Sequence, residues 1–201
     1  MAEKMIRTTL RRAVRLAALA CAIAPLTTVS YAADQKMPSG RFAAILGRLL
    51  TYDSNLKGRA GSDIGIAVLY RPASASSLAE ANQVFDQIRA LEGGETLELP
   101  VKVYKLALES EGELEKAAIH YGLDVFVITD GMTEQTEIVK RVSARRKIIT
   151  VGSDGSQARQ GLSVAIYVSD DKSKILVNLG ASKREGTSFN SVLLGMCEVI
   201  P

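Results

Sequence analysis

Residues that usually carry catalysis are scarce in this chain. Its 201 residues include a single histidine, His120, two cysteines and no tryptophan. One histidine without a second histidine or a cysteine near it excludes the usual zinc ligand sets and nucleophile–base pairs. No Gly-x-Ser-x-Gly motif occurs, and Arg71-Pro72-Ala73 follows the apolar run at 64–70, where a phosphate-binding loop would be glycine-rich. These absences predict a protein that is not an enzyme and has no cofactor or metal.

The first 32 residues have the three parts of a secretory signal peptide. A basic segment from Lys4 to Arg15 precedes an apolar run at 16–26, and Ser30 and Ala32 are small residues at positions −3 and −1 of a cleavage site. We therefore predict cleavage between Ala32 and Ala33. The apolar run is shorter than the ~20 residues that a membrane-spanning helix needs, although an N-terminal anchor is the alternative. Residues 33–40 are a predicted linker, and 41–201 are the predicted folded domain.

Removal of this leader takes away the positive charge of the chain. The whole sequence has 25 Lys and Arg against 22 Asp and Glu, whereas residues 33–201 keep 20 basic and 21 acidic residues. That balance predicts no binding to nucleic acid. Cys21 would leave with the leader, so Cys197 has no intramolecular disulfide partner. Its apolar neighbours Leu194, Met196 and Val199 predict a buried, unreactive thiol.

Two charged stretches have structural interpretations. Glu109, Glu111, Glu113 and Glu115 alternate along the start of a predicted helix, and we interpret them as solvated charge. The basic run at 145–147 ends the next helix, where cations are favoured by the helix dipole. A basic patch for a partner is the alternative interpretation of that run.

Strands and helices alternate through the middle of the chain. The predicted strands are 64–70, 99–107, 124–129 and 147–151; the predicted helices are 41–52, Ser76 or Ser77 to Leu91, 111–122 and 133–145. Strands joined by single helices imply right-handed parallel crossovers. Two further runs, 162–168 and 174–179, flank a turn at 170–173 and predict a hairpin, with a short helix following within 187–194. The sequence predicts an α/β fold: a doubly wound, mostly parallel sheet with helices on both faces and an antiparallel C-terminal hairpin.

Polar loops follow three of the predicted parallel strands. Gly152-Ser153-Asp154-Gly155 follows the fourth strand, Thr129-Asp130-Gly131 the third, and Arg71 and Ser74 follow the first. Open α/β sheets bind ligands at these carboxyl ends. Gly152, Ser153 and Asp154 are therefore candidates for binding a ligand or partner, with Asp154 expected as an exposed loop carboxylate of little importance for stability.

Asn178 is the fourth candidate, because it is a polar residue in an otherwise apolar strand. A buried asparagine must be hydrogen-bonded. It either braces a neighbouring loop or faces a binding site.

The last quarter of the chain places several short motifs in a fixed order. They are Ile149-Thr-Val-Gly152, Gly161, Lys174-Ile-Leu-Val-Asn-Leu179, Gly186 and Phe189-Asn-Ser-Val-Leu-Leu194. This order resembles the C-terminal half of the YfiR-like (YfiR/HmsC-like) periplasmic proteins. The resemblance implies a periplasmic regulator that binds the periplasmic domain of an inner-membrane diguanylate cyclase or other sensor protein. Such binding would repress cyclic di-GMP synthesis and biofilm formation.

Two features of that family are missing here. Its aromatic segment after the first helix is replaced by Leu50 to Leu56, without Trp or Pro, and its paired cysteines are absent. The alternative function is a single-lobe periplasmic solute-binding protein with a small-molecule ligand. The 169 residues after the leader count against it, because such receptors usually need two lobes. The sequence also leaves a homodimer open.

Overall fold

The computed structural model describes residues 37–92 and 97–201. The predicted leader, its cleavage site at Ala32 and Ala33, and the first half of the predicted linker lie outside the described residues. All described residues fall within one compact unit, Ala32–Pro201.

Seven strands and eight α-helices make up the described residues. The strands are β1 (Ile64–Tyr70), β2 (Val101–Ala107), β3 (Leu123–Ile128), β4 (Ile149–Gly152), β5 (Val164–Ser169), β6 (Lys172–Asn178) and β7 (Glu198–Ile200). The helices are α1 (Ser39–Leu50), α2 (Leu56–Ala60), α3 (Ala75–Ile88), α4 (Glu111–Tyr121), α5 (Thr136–Arg146), α6 (Gly155–Arg159), α7 (Leu179–Arg184) and α8 (Ser191–Met196). Single 3₁₀ turns, Arg89–Leu91 and Thr133–Gln135, follow α3 and precede α5.

All seven strands form one sheet in the order β2-β1-β3-β4-β5-β6-β7. Neighbouring strands are parallel except at β5–β6, which form an antiparallel hairpin. The order reverses between β1 and β3, because β2 and β3 lie on opposite sides of β1. The predicted α/β class, mostly parallel sheet and C-terminal hairpin are confirmed.

Hydrophobic side chains fill both faces of the sheet, as expected for parallel strands. On one face Ile66, Val68 and Val127 pack with the buried stripes of α1 and α3. On the other face Phe126 and Ile128 pack with residues of α4 and α5. Alternate residues of each buried strand therefore serve two separate cores, which explains the nearly continuous apolar runs of β1 and β3.

The boundaries differ from the sequence predictions where short-range capping decides them. α3 begins at Ala75 and is capped by Ser74, whose hydroxyl accepts a hydrogen bond from Ser77 N–H at 3.2 Å, so the predicted caps Ser76 and Ser77 are wrong. α1 begins at Ser39, inside the predicted linker. The helices α6 and α7 were not predicted, because five or six residues are too few to show helical periodicity.

Cys197 follows α8 and is half-buried rather than fully buried. It contacts the core formed by α1, α3 and α8. Burial raises the pKa of its thiol to about 11. Because the thiolate is the reactive form, this shift agrees with an unreactive thiol.

Candidate functional site

The polar residues at the point where the sheet order reverses bond to one another. Thr129 Oγ1 donates to Leu69 O at 2.9 Å and lies 2.8 Å from Ser77 Oγ. The N–H of Arg71 donates to the same Ser77 hydroxyl at 3.0 Å. Thr129 and Ser77 are both buried. The end of β1, the start of α3 and the end of β3 are therefore held together by hydroxyl groups that face each other.

The loop at 152–155 is joined to this cluster through Gln157. Asp154 caps α6, accepting a hydrogen bond from Ser156 N–H at 2.6 Å, while Gln157 Oε1 accepts one from Asp154 N–H at 3.1 Å. Gln157 Nε2 donates to Thr129 O at 3.1 Å. A side chain on Gly152 would have its Cβ 2.2 Å from Gln157 Oε1. Gly152 is therefore required by packing inside the protein, and Asp154 stabilises a helix instead of being a bare loop carboxylate.

Two carboxylates complete this end of the sheet. Glu80 is 3% exposed, and its Oε2 accepts a hydrogen bond from Asp130 N–H at 2.8 Å. Arg71 forms an ion pair with Glu134 at 3.2 Å. Ser153 and Asp154 stay half-exposed, and Asp130 is exposed. Ser153, Asp154 and Asp130 are the polar side chains that the loops after β3 and β4 offer to an incoming molecule.

Asn178 lies away from the other three predicted site residues. Its Nδ2 donates to Ala158 O at 3.0 Å, and its Oδ1 accepts from Ala181 N–H at 2.9 Å, which caps α7. Ala158 is near the end of α6, whose start is capped by Asp154. The structure therefore brings Gly152, Ser153 and Asp154 together and places Asn178 at the other end of α6, with both of its side-chain hydrogen bonds bracing the fold.

Glu185, directly after α7, was missed by the sequence analysis. It is 2% exposed, and its carboxylate accepts hydrogen bonds from Ser143 Oγ at 3.0 Å, from Thr150 N–H at 2.8 Å, from Thr150 Oγ1 at 2.9 Å and from Ser163 Oγ. Burial raises its pKa to about 7, against the opposing effect of these hydrogen bonds. The carboxylate thereby joins α5, β4 and the start of β5.

A signal for this cluster existed in the sequence. Thr150 and Ser163 are polar residues between apolar neighbours, which is the pattern that drew attention to Asn178. Glu185 itself follows Lys183 and Arg184, so it looks like one more charge of a solvated loop. Only the fold shows that this carboxylate lies under β4.

Asp53 is a second buried carboxylate that was not predicted. It accepts hydrogen bonds from Asn55 N–H at 3.1 Å and Ser188 N–H at 2.9 Å, and it forms an ion pair with Arg59 at 2.9 Å. Arg59 Nη1 also donates to Gly186 O at 2.8 Å. The segment after α1 is thus bonded to the segment before α8. In the sequence, Asp53 indicates only the end of a helix.

A cavity of about 270 Å³ lies beside Asp53. Its wall contains the apolar side chains of Leu50, Leu56 and Ile64, and it also contains Lys57 and Glu98, which form an exposed ion pair. This space lies at the amino end of β1, opposite the end where open α/β sheets usually bind ligands. Its size suits a small molecule rather than a macromolecule.

The part of the chain that the structure describes contains no group of three His, Cys, Asp or Glu side chains placed to hold a metal ion. Within the same residues, none of the helices has both the length and the hydrophobicity to cross a membrane.

Fold and site together define an α/β domain whose polar residues are engaged in holding the protein together. A model of the YfiR/HmsC-like family matches residues 44–198, from α1 to β7. The chain belongs to the YfiR/HmsC-like family, and the resemblance seen in its last quarter is confirmed. This family is a periplasmic regulatory family. No curated protein matches the chain.

Solved structures share the fold at low sequence identity. A conserved domain protein from Vibrio cholerae O1 biovar El Tor has a TM-score of 0.59 and 14% identity over 83% of this chain and 60% of its own. An ABC domain from Streptococcus pneumoniae in complex with L-Trp has a TM-score of 0.57 and 12% identity, over 81% of this chain and 60% of its own. The substrate-binding protein CD0873 from Clostridium difficile has a TM-score of 0.52 and 15% identity, over 76% of this chain and 58% of its own. This chain thus spans about three-fifths of their length.

Proposed function

We propose that this protein is exported to the periplasm and regulates an inner-membrane diguanylate cyclase by binding its periplasmic sensor domain, without any turnover of its own. The observation that carries this proposal is the family match over residues 44–198. The engagement of Thr129, Ser77 and Gln157 in hydrogen bonds within the protein supports it, because groups fixed in this way are suited to hold a surface rather than to transfer protons.

Deletion of the gene tests the proposal directly. Cellular cyclic di-GMP should rise in the deletion strain, and the rise should disappear when the partner cyclase is also deleted. A plasmid copy of the wild-type gene is the control and should restore the low level. Unchanged cyclic di-GMP in the single deletion would reject the regulatory function.

Gly152, Ser153, Asp154 and Asn178 remain the proposed region for reading a ligand or partner. Only Ser153 and Asp154 are accessible, while Gly152 and Asn178 support the loop and the helix behind it. Asp154→Asn separates the two roles of Asp154, since asparagine caps helices as well as aspartate does but lacks the charge. If the carboxylate contacts the partner, Asp154→Asn should weaken repression while the protein stays folded. Normal repression by this variant would remove Asp154 from the site.

Export can be tested by locating the protein and sequencing its N-terminus. The mature protein should be found in the periplasmic fraction with Ala33 as its first residue. N-terminal sequencing that finds Met1 on membrane-bound protein would instead indicate an anchor.

A single-lobe solute-binding protein is the second candidate, and the cavity of about 270 Å³ favours it. Two of the three similar structures are an ABC domain in complex with L-Trp and a substrate-binding protein. Under this function a small molecule should raise the thermal midpoint in a ligand screen, and a bulky Ser54→Trp at the cavity wall should abolish the rise. A ligand effect that survives Ser54→Trp would place binding elsewhere.

A further inference from the structure

The free edge of the sheet at β2 is blocked along one half and open along the other. Hydrogen bonds from Ile64 N–H to Pro100 O and from Leu108 N–H to Tyr70 O fix which residues of β2 bond to β1. Because bonding alternates along a parallel strand, Val103, Lys105 and Ala107 direct their backbone groups outward. Glu92 Oε1 accepts the N–H of Val103 at 3.1 Å.

In the second half of the edge, the outward positions Lys105 and Ala107 are exposed. Within the described residues their outward N–H groups have no hydrogen-bond acceptor. An edge of this kind is a template for one more strand.

An apolar groove of about 300 Å³ lies beside the open half of this edge. Leu106 and Ala107 form its strand side, and Leu114, Ala117 and Tyr121 form its helix side. The ring of Tyr121 packs on the ring of Tyr104, with centroids 4.4 Å apart. An exposed edge strand and an apolar groove therefore lie together.

Glu109 and Glu113 give this groove a negative charge. Their neighbours Glu111 and Glu115 bind the arginines of α5, with distances of 2.7–3.0 Å. Glu109 and Glu113 are exposed and form no ion pair with any described residue. Glu111 and Glu115 thus pair with α5, whereas Glu109, just before α4, and Glu113, in its first turn, have no ion-pair partner among the described residues.

We propose that this half-edge and groove bind an extended segment of the partner protein, which adds a strand to β2. The N–H groups of Lys105 and Ala107 donate to its backbone, an apolar side chain enters the groove, and a lysine or arginine faces Glu109 and Glu113. That the segment belongs to the regulated membrane protein rests on the proposed function. A second copy of this chain fits less well, because the lysines of its own edge strand are engaged within the protein, Lys102 with Asp63 and Lys105 with Asn82.

The recognition chemistry can be tested with two peptides. The full chain is titrated with an acetylated nine-residue peptide of alternating valine and lysine, and with its counterpart of valine and glutamate. The lysine peptide should bind at least tenfold more tightly. The double variant Glu109→Lys, Glu113→Lys should reverse the preference, whereas Asp86→Lys, an exposed position on α3, should leave it unchanged.

The backbone contribution can be tested at one position. Ala107→Pro removes the outward N–H, and edge strands tolerate proline, so binding of the lysine peptide should weaken at least tenfold. Ala107→Val keeps the N–H and is the matched control, with affinity within twofold of the wild type. Circular dichroism and the thermal midpoint check that each variant is folded.

Three results would overturn the proposal. One is no binding of the lysine peptide, another is equal binding of both peptides by all variants, and the third is a wild-type dimer that Ala107→Pro converts to monomer. Measurement of cellular cyclic di-GMP distinguishes a failure of this binding site from a failure of the proposed regulatory function. Normal repression by a folded Glu109→Lys, Glu113→Lys protein rejects only the groove, while an unaltered level in the deletion strain rejects only the regulation of a cyclase.

Discussion

The two ends of the parallel strands use their polar residues in different ways. At the carboxyl end, hydroxyl and amide groups such as Thr129, Ser77 and Gln157 bond to one another and to backbone atoms. Among the described residues, the carboxyl end has one buried carboxylate, Glu80, whereas the amino end has three, those of Glu185, Asp53 and Asp124. Burial of a neutral polar group costs little free energy when the group has a hydrogen-bond partner, whereas burial of a charged group costs much of its hydration free energy. The amino end should therefore respond most strongly to substitution and to pH.

The carboxylates of Asp53 and Glu185 are compensated differently. Asp53 has a guanidinium partner, Arg59, and joins segments that are far apart in the chain. Glu185 has hydroxyl and backbone donors and, among the described residues, no ion pair. A charge held only by dipoles depends on every donor around it. Removal of Glu185 should thus cost more than removal of Asp53.

The largest expected effect is that of Glu185→Ala. The substitution leaves Thr150 and Ser163 without their acceptor and opens a cavity, so the free energy of unfolding should fall by about 3–5 kcal/mol. Urea unfolding followed by circular dichroism measures this change. Ser163→Ala, which removes one donor, is the matched control and should cost about 1–2 kcal/mol. A loss below about 1 kcal/mol in Glu185→Ala would show that the carboxylate is not a centre of stability.

The next effect is a dependence of stability on pH. Burial raises the pKa of Glu185 to about 7 and that of Asp124 to about 6, so the folded protein binds more protons than the unfolded chain between pH 4.5 and 7. Stability should therefore increase as pH falls through this range, and decrease by roughly 2–4 kcal/mol as pH rises from 5 to 8.

Denaturant midpoints measured at half-unit pH intervals test this dependence. Glu185→Gln should remove most of the slope near pH 7, and Asp124→Asn most of the slope near pH 6. A wild-type protein whose stability rises from pH 5 to pH 8 would contradict the sign of the prediction.

Asp53→Ala should have the third-largest effect. It removes the partner of a largely buried guanidinium and the acceptor for Ser188 N–H, which is worth about 2–3 kcal/mol. Because the lost bonds join the segments at 53–59 and 186–190, hydrogen exchange should accelerate in both segments. Lys57→Ala, which breaks only an exposed ion pair, is the control and should change stability by less than about 0.5 kcal/mol. Equal effects of the two substitutions would refute the joining role of Asp53.

The alternation of strands and helices could be predicted from the sequence because each buried strand is a mostly apolar run that includes several β-branched residues. β1 and the hairpin of β5 and β6 needed no information beyond such runs and their turns. The helix α6 could not be predicted, because its five residues are held by Asp154, Gln157 and a carbonyl of another loop. Local sequence does not encode an acceptor that lies 28 residues away.

The candidate site was less predictable than the fold. Sequence position correctly grouped Gly152, Ser153 and Asp154, because consecutive residues stay together in any fold. It could not show that Asn178 bonds to the far end of α6, nor that Glu185 lies under β4. Both facts depend on the path of α7 over the sheet. Polar residues inside apolar strands were the only available signal. They indicate that a position is unusual, but they do not show which residue its side chain bonds to.

The smallest effect concerns the carboxyl end and tests whether its polar loop is structural. Asp154→Ala removes the cap of α6 and should lower the free energy of unfolding by about 1 kcal/mol, whereas Asp154→Asn keeps the cap and should change it by less than about 0.3 kcal/mol. Thermal melts of the two variants side by side measure the difference. Equal stability of Asp154→Ala and the wild type would mean that the capping hydrogen bond contributes nothing, and the loop would then be free to serve binding alone. A loss in Asp154→Ala that Asp154→Asn restores would assign the side chain to the fold and leave only its charge for a partner.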